Sequence, residues 1–437
     1  MGRAIFSSHG SERKNMSAKD LCKTSMVAML SSLVRMVSID DIQAARERIR
    51  EAIFVSPCAY SENFSRVTRN SVFFKLENLQ MTGSFKERGA LNKLLQLNDD
   101  ERRRGVICAS AGNHAQGVAY HAKRLGIHAT VVMPLTAPLT KVTATRQYGA
   151  EVHLHGANYD EAFQEALRLG EAGGLTYIHA FNDDAIIAGQ GTIGLELIEQ
   201  LPDMEAVVIP VGGGGLMGGI AIAVKAHNPA IRIIGVQTAR FASMKAAMMA
   251  HEPVTLPPAT TIADGIGVRR VGERNLEIAE KLMDEYVMVE EEEVASAILM
   301  LLEREKTVAE GAGAAGAAAL IERKTSLVGR RVACLICGGN IDPIFLTRIV
   351  ERGLVKDGRL VRLRLQAADY PGVLHAVTGV FAKLRVNVIH IEHERAYFGV
   401  RLGNTVMDFT LETRGAEHVA ELLASLTQAG YQFDRIT

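Results

Sequence analysis

Lys86 stands in the stretch Thr82-Gly83-Ser84-Phe85-Lys86-Glu87-Arg88-Gly89-Ala90, an odd place for a lysine. Ser84 and Glu87 have the Ser-x-x-Glu spacing of a capping box, which predicts a helix starting here with Lys86 in its first turn. A cation near the positive end of a helix dipole is disfavoured by roughly 0.3 to 1 kcal/mol, and the same field favours the neutral amine. A neutral amine is what a lysine needs in order to attack an aldehyde and form a Schiff base. Taken alone, a helix lysine is ordinarily a solvated surface charge, so the weight falls on its company.

That company is three more turns of unusual composition. The apolar run 206–211 leads into Gly212-Gly213-Gly214-Gly215-Leu216. Consecutive glycines there let backbone N–H groups turn toward one small anion at the start of the following helix. Neither the Lys-Ser/Thr ending of a Walker loop nor G-x-G-x-x-G spacing in its usual form is present, so a monophosphate is a better guess than a nucleotide. Ser110-Ala111-Gly112-Asn113-His114-Ala115-Gln116-Gly117 also follows a strand pattern and enters a helix. Its small residues expose donors for a carboxylate, while Asn113 and His114 add side-chain polarity; Asn113 as a plain helix cap is the alternative. Cys337-Gly338-Gly339-Asn340 ends the apolar run 332–336, where a thiol could face a ring nitrogen or simply be buried.

The elements that must hold these turns read as α/β. Strand patterns fall at 72–76, 105–109, 129–133, 151–154, 206–211, 231–237 and 331–336, with helices at 84–97, 113–125, 160–169, 216–227 and 294–304 between them. In open parallel sheets ligands collect at the carboxyl ends of strands, and all four turns sit at such junctions. After Lys356-Asp357-Gly358 the order becomes strand 360–367, helix 372–384, strand 386–395, strand 405–413, helix 417–428, strand 431–436. That β-α-β-β-α-β order is ferredoxin-like. The expected division is an extension at 1–35, an α/β unit at 36–356 and a small α+β unit at 357–437.

Composition narrows the function classes. With 437 residues, more than one folding unit is expected, and a 48% hydrophobic share supports real cores. The 49 basic residues balance 49 acidic ones, so no polyanion-binding surface is marked and nucleic acid is not expected as a partner. No apolar run has the length of a membrane span. The 5 cysteines suit a reducing compartment, and Cys334-x-x-Cys337 at a strand end lacks the second pair a zinc site would need. Residues 1–35 are Ser-rich and carry Arg3, Arg13, Lys14, Lys19 and Lys23, yet Glu12 and Asp20 weaken a targeting-peptide reading and Met36 would serve as a start. A disordered extension to a cytoplasmic protein is the expectation.

Together the four turns resemble the fold-type II family of pyridoxal-phosphate enzymes, and within it the threonine and serine dehydratases. The resemblance covers roughly 40–350. It implies two lobes with mostly parallel sheets, and Lys86 as the Schiff-base lysine of pyridoxal 5'-phosphate. By the same resemblance Asn113 meets the phenolic oxygen, Gly212, Gly213, Gly214, Gly215 and Leu216 hold the phosphate, Phe85 and Gly265 flank the ring, and Cys337 faces its nitrogen. Ser110, Ala111, Gly112 and His114 would hold the substrate carboxylate. The tail resembles an ACT domain, with regulatory positions Asp369, Pro371, Gly372 and Asn387.

The activity so implied is β-elimination of water from L-threonine followed by hydrolysis of the resulting imine to 2-oxobutanoate and ammonia, with L-serine as a second substrate, as in the first step of isoleucine biosynthesis or in threonine catabolism. Isoleucine or valine would be the effector, and the assembly a dimer or tetramer. Serine dehydration, racemisation or hydroxyaspartate dehydration would use the same cofactor cage, and a catalytically silent amino-acid sensor is the rival from another class. Some relatives carry a divalent metal after the glycine loop; the stretch 235–243 has no carboxylate, so no metal is expected there.

Overall fold

The computed structural model describes residues 36–395 and 401–436; the extension read at 1–35 lies outside them. A six-stranded sheet has the order Cys58–Tyr60, Ser71–Leu76, Arg331–Ile336, Ala206–Pro210, Arg232–Thr238, Glu285–Val289. Only the first of these strands runs antiparallel to its neighbour. Ala206–Pro210 is buried at every position, the signature of a strand covered on both faces by crossover helices. Helices Asp184–Gln200, Gly215–His227 and Gly311–Ile321 supply much of that cover, rich in Gly, Ala and Ile where backbones approach closely.

A second, parallel sheet has the order Glu151–Leu154, Ala129–Met133, Val106–Ala109, Thr176–Tyr177. Its core gathers Val106, Cys108, Val131 and Met133 against Ala115, Val118 and Ala122 of the helix Asn113–Arg124. These two sheets are the two lobes expected of the α/β unit.

The third sheet is antiparallel, order Asn387–Glu394, Asn404–Glu412, Leu360–Ala368, Gln432–Ile436, with helices Val373–Leu384 and Ala416–Gln428. Leu360–Ala368 alternates buried and exposed positions, so one face packs while the other meets solvent. Its own core holds Leu363, Leu365, Val377, Phe381, Phe409 and Leu422, with Phe381 and Phe409 edge to face at 5.0 Å. The ferredoxin-like order read from the tail is present. The helix Pro343–Lys356 leads into it, started by Asp342, whose carboxylate accepts the N–H groups of Ile344 and Phe345. Among the described residues no helix is long and apolar enough to cross a membrane.

Candidate active site

The loop carrying Lys86 is built differently from the expectation. Its helix runs Lys86–Leu95, with Phe85 at the cap position and no side-chain cap bond. Ser84 instead forms an isolated bridge with Gly338, Phe85 N–H donates to Cys337 O at 3.1 Å, and Gly339 N–H donates to Gly83 O at 2.9 Å. The end of the strand Arg331–Ile336 thus zips onto the residues before Lys86, pulling Ser84 out of cap geometry. Glu87 turns back to accept Thr82 N–H at 2.8 Å, and the fully buried Ser84 Oγ finds no protein partner. The capping box is not formed, and Lys86 is nonetheless in the first turn.

The Lys86 amine lies 5.1 Å from the Phe85 ring centroid and donates to Ala180 O at 3.0 Å. Burial pulls its pKa down to about 8, only partly opposed by the nearby Cys337 and Glu310. A lysine whose nearest acceptor is a carbonyl, with no carboxylate in bonding contact, is poised to lose its proton.

The glycine loop turns at Gly214, φ 97°, a left-handed conformation suited to glycine, and Gly215 opens the helix Gly215–His227 without a side-chain cap. A Cβ on Gly213 would stand 2.3 Å from the Phe181 ring, so the loop and Phe181 leave no room for one. The uncapped first turn leaves its N–H groups to a ligand. Gly265 borders the same cup, since a Cβ on Gly212 would lie 3.3 Å from Gly265 O.

Asn113 is the first residue of its helix and Gly112 the cap, so the cap alternative for Asn113 fails. Its Nδ2 donates to Glu310 Oε1 at 2.7 Å, and its Oδ1 accepts from Asn340 Nδ2 at 2.9 Å. Asn340 Nδ2 also donates to Thr82 O at 2.7 Å. Glu310 is buried and was not singled out in the sequence. Burial, then the neighbouring Asp264, raises its pKa to about 7, while the Asn113 bond and the Lys141 and Lys86 charges oppose the rise. Burial, then Glu310, also pushes the Cys337 thiol well above its ordinary value, so it stays neutral. The sequence signal for Glu310 was faint: one acid before an alanine-glycine helix, where an N-terminal carboxylate is ordinary.

Ser110, Ala111 and Gly112 form the turn after Val106–Ala109, with Gly112 N–H donating to Ser110 Oγ at 3.2 Å. His114 is tied elsewhere. Its Nε2 meets Ile178 O at 2.9 Å, and burial with the Lys86 charge lowers its pKa to about 3, so the ring is neutral and braces the lobe.

Lys86, Phe85, Asn113, the glycine loop, Gly265 and Cys337 are therefore gathered around one cup, with Glu310 added. The regulatory positions are not gathered. Asp369 accepts from Arg395 at 3.0 Å beside the turn where Gly372, φ 96°, starts its helix. Asn387 donates to Glu412 at 3.0 Å. Glu412 faces Leu360, whereas Ala368, next to Asp369, faces Asn404, so Asn387 sits at the opposite end of the sheet within one chain.

Comparison with known proteins agrees with this geometry. The family model described as pyridoxal-phosphate dependent enzyme matches residues 49–338, and the ACT domain model matches 361–428. An L-threonine ammonia-lyase of Thermotoga maritima is 47% identical over 397 residues, 91% of this chain and 99% of its own length. A second L-threonine ammonia-lyase, from Geobacter sulfurreducens, is 44% identical over 393 residues, covering 90% and 98%. Among solved structures, the processed form of threonine deaminase isoform 2 from Solanum lycopersicum gives a TM-score of 0.68 at 39% identity, covering 72% of this chain and 86% of that one. Maize serine racemase gives 0.69 at 33% identity, covering 74% and 99%. On these matches the chain belongs to the family of pyridoxal-phosphate-dependent enzymes, with an ACT domain following the catalytic part.

Proposed function

We propose that this chain is a threonine ammonia-lyase, converting L-threonine to 2-oxobutanoate and ammonia and accepting L-serine more weakly, with a catalytic unit at 36–356 and a regulatory unit at 357–437. The observation that carries the reading is Lys86: a low-pKa amine held by a carbonyl rather than a carboxylate, beside an uncapped glycine turn. The residues fit pyridoxal phosphate on their own chemistry. An amine free to condense with an aldehyde and N–H groups free to take a phosphate are what such a group requires.

In this reading Lys86 would hold the cofactor, and Gly212 to Gly215 with Leu216 would hold its phosphate. The cofactor, when bound, supplies the electron sink that makes the substrate's α-proton removable. Ser110 to Gly112 hold the substrate carboxylate through the turn's backbone donors, while His114 fixes that turn from behind. Lys86 Nζ would take the substrate's α-proton as general base. Asn113 carries two amide N–H bonds; Glu310 takes one, and the other would be open to a ligand in the cup. Cys337, whose thiol burial keeps neutral, would offer a ring nitrogen of the bound group no charge. Phe85 and Gly265 would line the cup and help to exclude water.

The reading is supported further by the names of the two relatives that cover nearly the whole chain. The test is 2-oxo acid formation from L-threonine and L-serine by cofactor-loaded protein, with and without isoleucine or valine, alongside Lys86→Ala. Threonine should be turned over faster than serine, and Lys86→Ala should lose both turnover and the visible absorbance band. An unchanged band in Lys86→Ala, or no 2-oxo acid from either substrate, overturns it. We also infer a dimer or tetramer, which light scattering on the same sample reads directly.

A further inference from the structure

Away from the cup, two histidines and a carboxylate converge where nothing in the proposed reaction needs them. His153 lies on the edge strand Glu151–Leu154 of the second sheet, and His155 follows it, still paired through its N–H to Met133 O at 2.8 Å. Residues two apart on a strand share a face, so both rings leave the sheet together. They are near-parallel, 14° apart with centroids 6.0 Å from each other. Onto the same face the helix Tyr159–Gly173 brings Glu165, whose Oε1 lies 3.5 Å from His153 Nε2. One donor atom from each of the three falls within 4.8 Å of the others.

We propose that His153, His155 and Glu165 form a binding site for one divalent transition-metal ion, a clasp joining the edge strand to the helix. Metal–nitrogen and metal–oxygen bonds of about 2.1 Å put neighbouring donors of a tetrahedral ion about 3.4 Å apart. The His153–Glu165 pair already has that spacing, and closing the widest gap takes a rotation of the solvent-exposed His155 ring. Two imidazoles and one carboxylate select zinc, nickel, copper or cobalt over magnesium and calcium, which require oxygen ligands. Three protein donors leave the remaining position to water or another small ligand.

Arg168 completes the design. Its Nε and Nη2 each donate to one Glu165 oxygen at 2.7 Å, which fixes the plane of the carboxylate. A ligating carboxylate is commonly oriented by just such an outer hydrogen bond, and each oxygen keeps a second lone pair for the ion. Glu165 keeps only 9% of its surface exposed, at the boundary between the helix and the edge strand.

The test uses the full chain loaded with its cofactor, freed of metal and titrated calorimetrically with Zn2+, beside His153→Ala/His155→Ala and the milder His155→Gln. Wild-type protein should bind one more equivalent than the double variant, and His155→Gln should bind that ion on the order of 10- to 100-fold more weakly. Zinc should also raise the Tm of wild type by a few degrees and leave the double variant unmoved, since only a folded site gains from the ion. Turnover and the visible band should be alike in all three proteins, which keeps this outcome separate from that of the proposed reaction. An identical isotherm in wild type and double variant, or no zinc bound by wild type at about 100 µM, overturns the site; either result is read without reference to activity.

Discussion

At the scale of single residues, the site works by withholding water from charge. Burial disfavours an ammonium, so Lys86 releases its proton at about 8 instead of the ordinary lysine value of about 10.4. The sign follows directly: below the pKa the reactive neutral fraction rises with pH, and above it the fraction saturates. Covalent capture of the cofactor by stripped protein, followed by absorbance, should therefore speed up about tenfold between pH 6 and pH 7 and level off above about pH 8.5. A profile still climbing steeply at pH 9.5 would mean an ordinary, hydrated lysine. The reason this lysine was legible in the sequence is its place in a first turn after Thr82-Gly83-Ser84. Glu310 was not legible, because its partners Asn113 and Gly338 reach it from segments far away in sequence. The same holds for His153 and Glu165, which meet only once a helix packs on a strand.

At the scale of elements, the glycine loop and the strand-end turns were readable because each is a short local pattern. The start of the lysine's helix was misread because a tertiary contact overrode a local one: pairing of Ser84 with Gly338 outcompetes a cap bond for the same residue. The pairing is underpinned from below. Arg88, 1% exposed, binds Glu77 at 2.8 Å and Glu196 at 2.6 Å, and Lys75 donates to Ser56 O at 2.7 Å. Lys75 also pairs with Glu196, so two cations and two carboxylates cancel inside the protein. Removing one partner strands a buried charge, and Arg88→Ala should cost about 3 to 5 kcal/mol in chemical denaturation. Arg88→Lys should recover only part of that, because an ammonium cannot span both carboxylates as the guanidinium fork does.

At the scale of the whole molecule, the ferredoxin-like order of the tail was visible as a change of texture, while its attachment was not. The helix Pro343–Lys356 hands the chain over, and Arg352 pairs with Glu292 at 2.7 Å while Arg359 pairs with Glu303. These exposed pairs hold little energy, about 1 kcal/mol or less each, which suits a joint that must yield. A chain ending at residue 356 should keep turning over threonine and lose any response to isoleucine or valine in the 2-oxo acid assay. A truncated chain that still responds would place the effector site among the catalytic helices.

The larger sheet seats Ser71–Leu76 directly beside Arg331–Ile336, joining segments from near the two ends of the catalytic stretch. Pairing of such distant segments is slow and cannot begin until the later one has left the ribosome. The Lys86 amine therefore gains the buried, hydrogen-bonded surroundings that make it reactive only after the segment 331–339 has been made and has paired with 71–76 and 83–85. Capture of the vitamin B6 aldehyde should then follow closure of this lobe, and a chain stalled on the ribosome before Arg331 should form no borohydride-stable adduct.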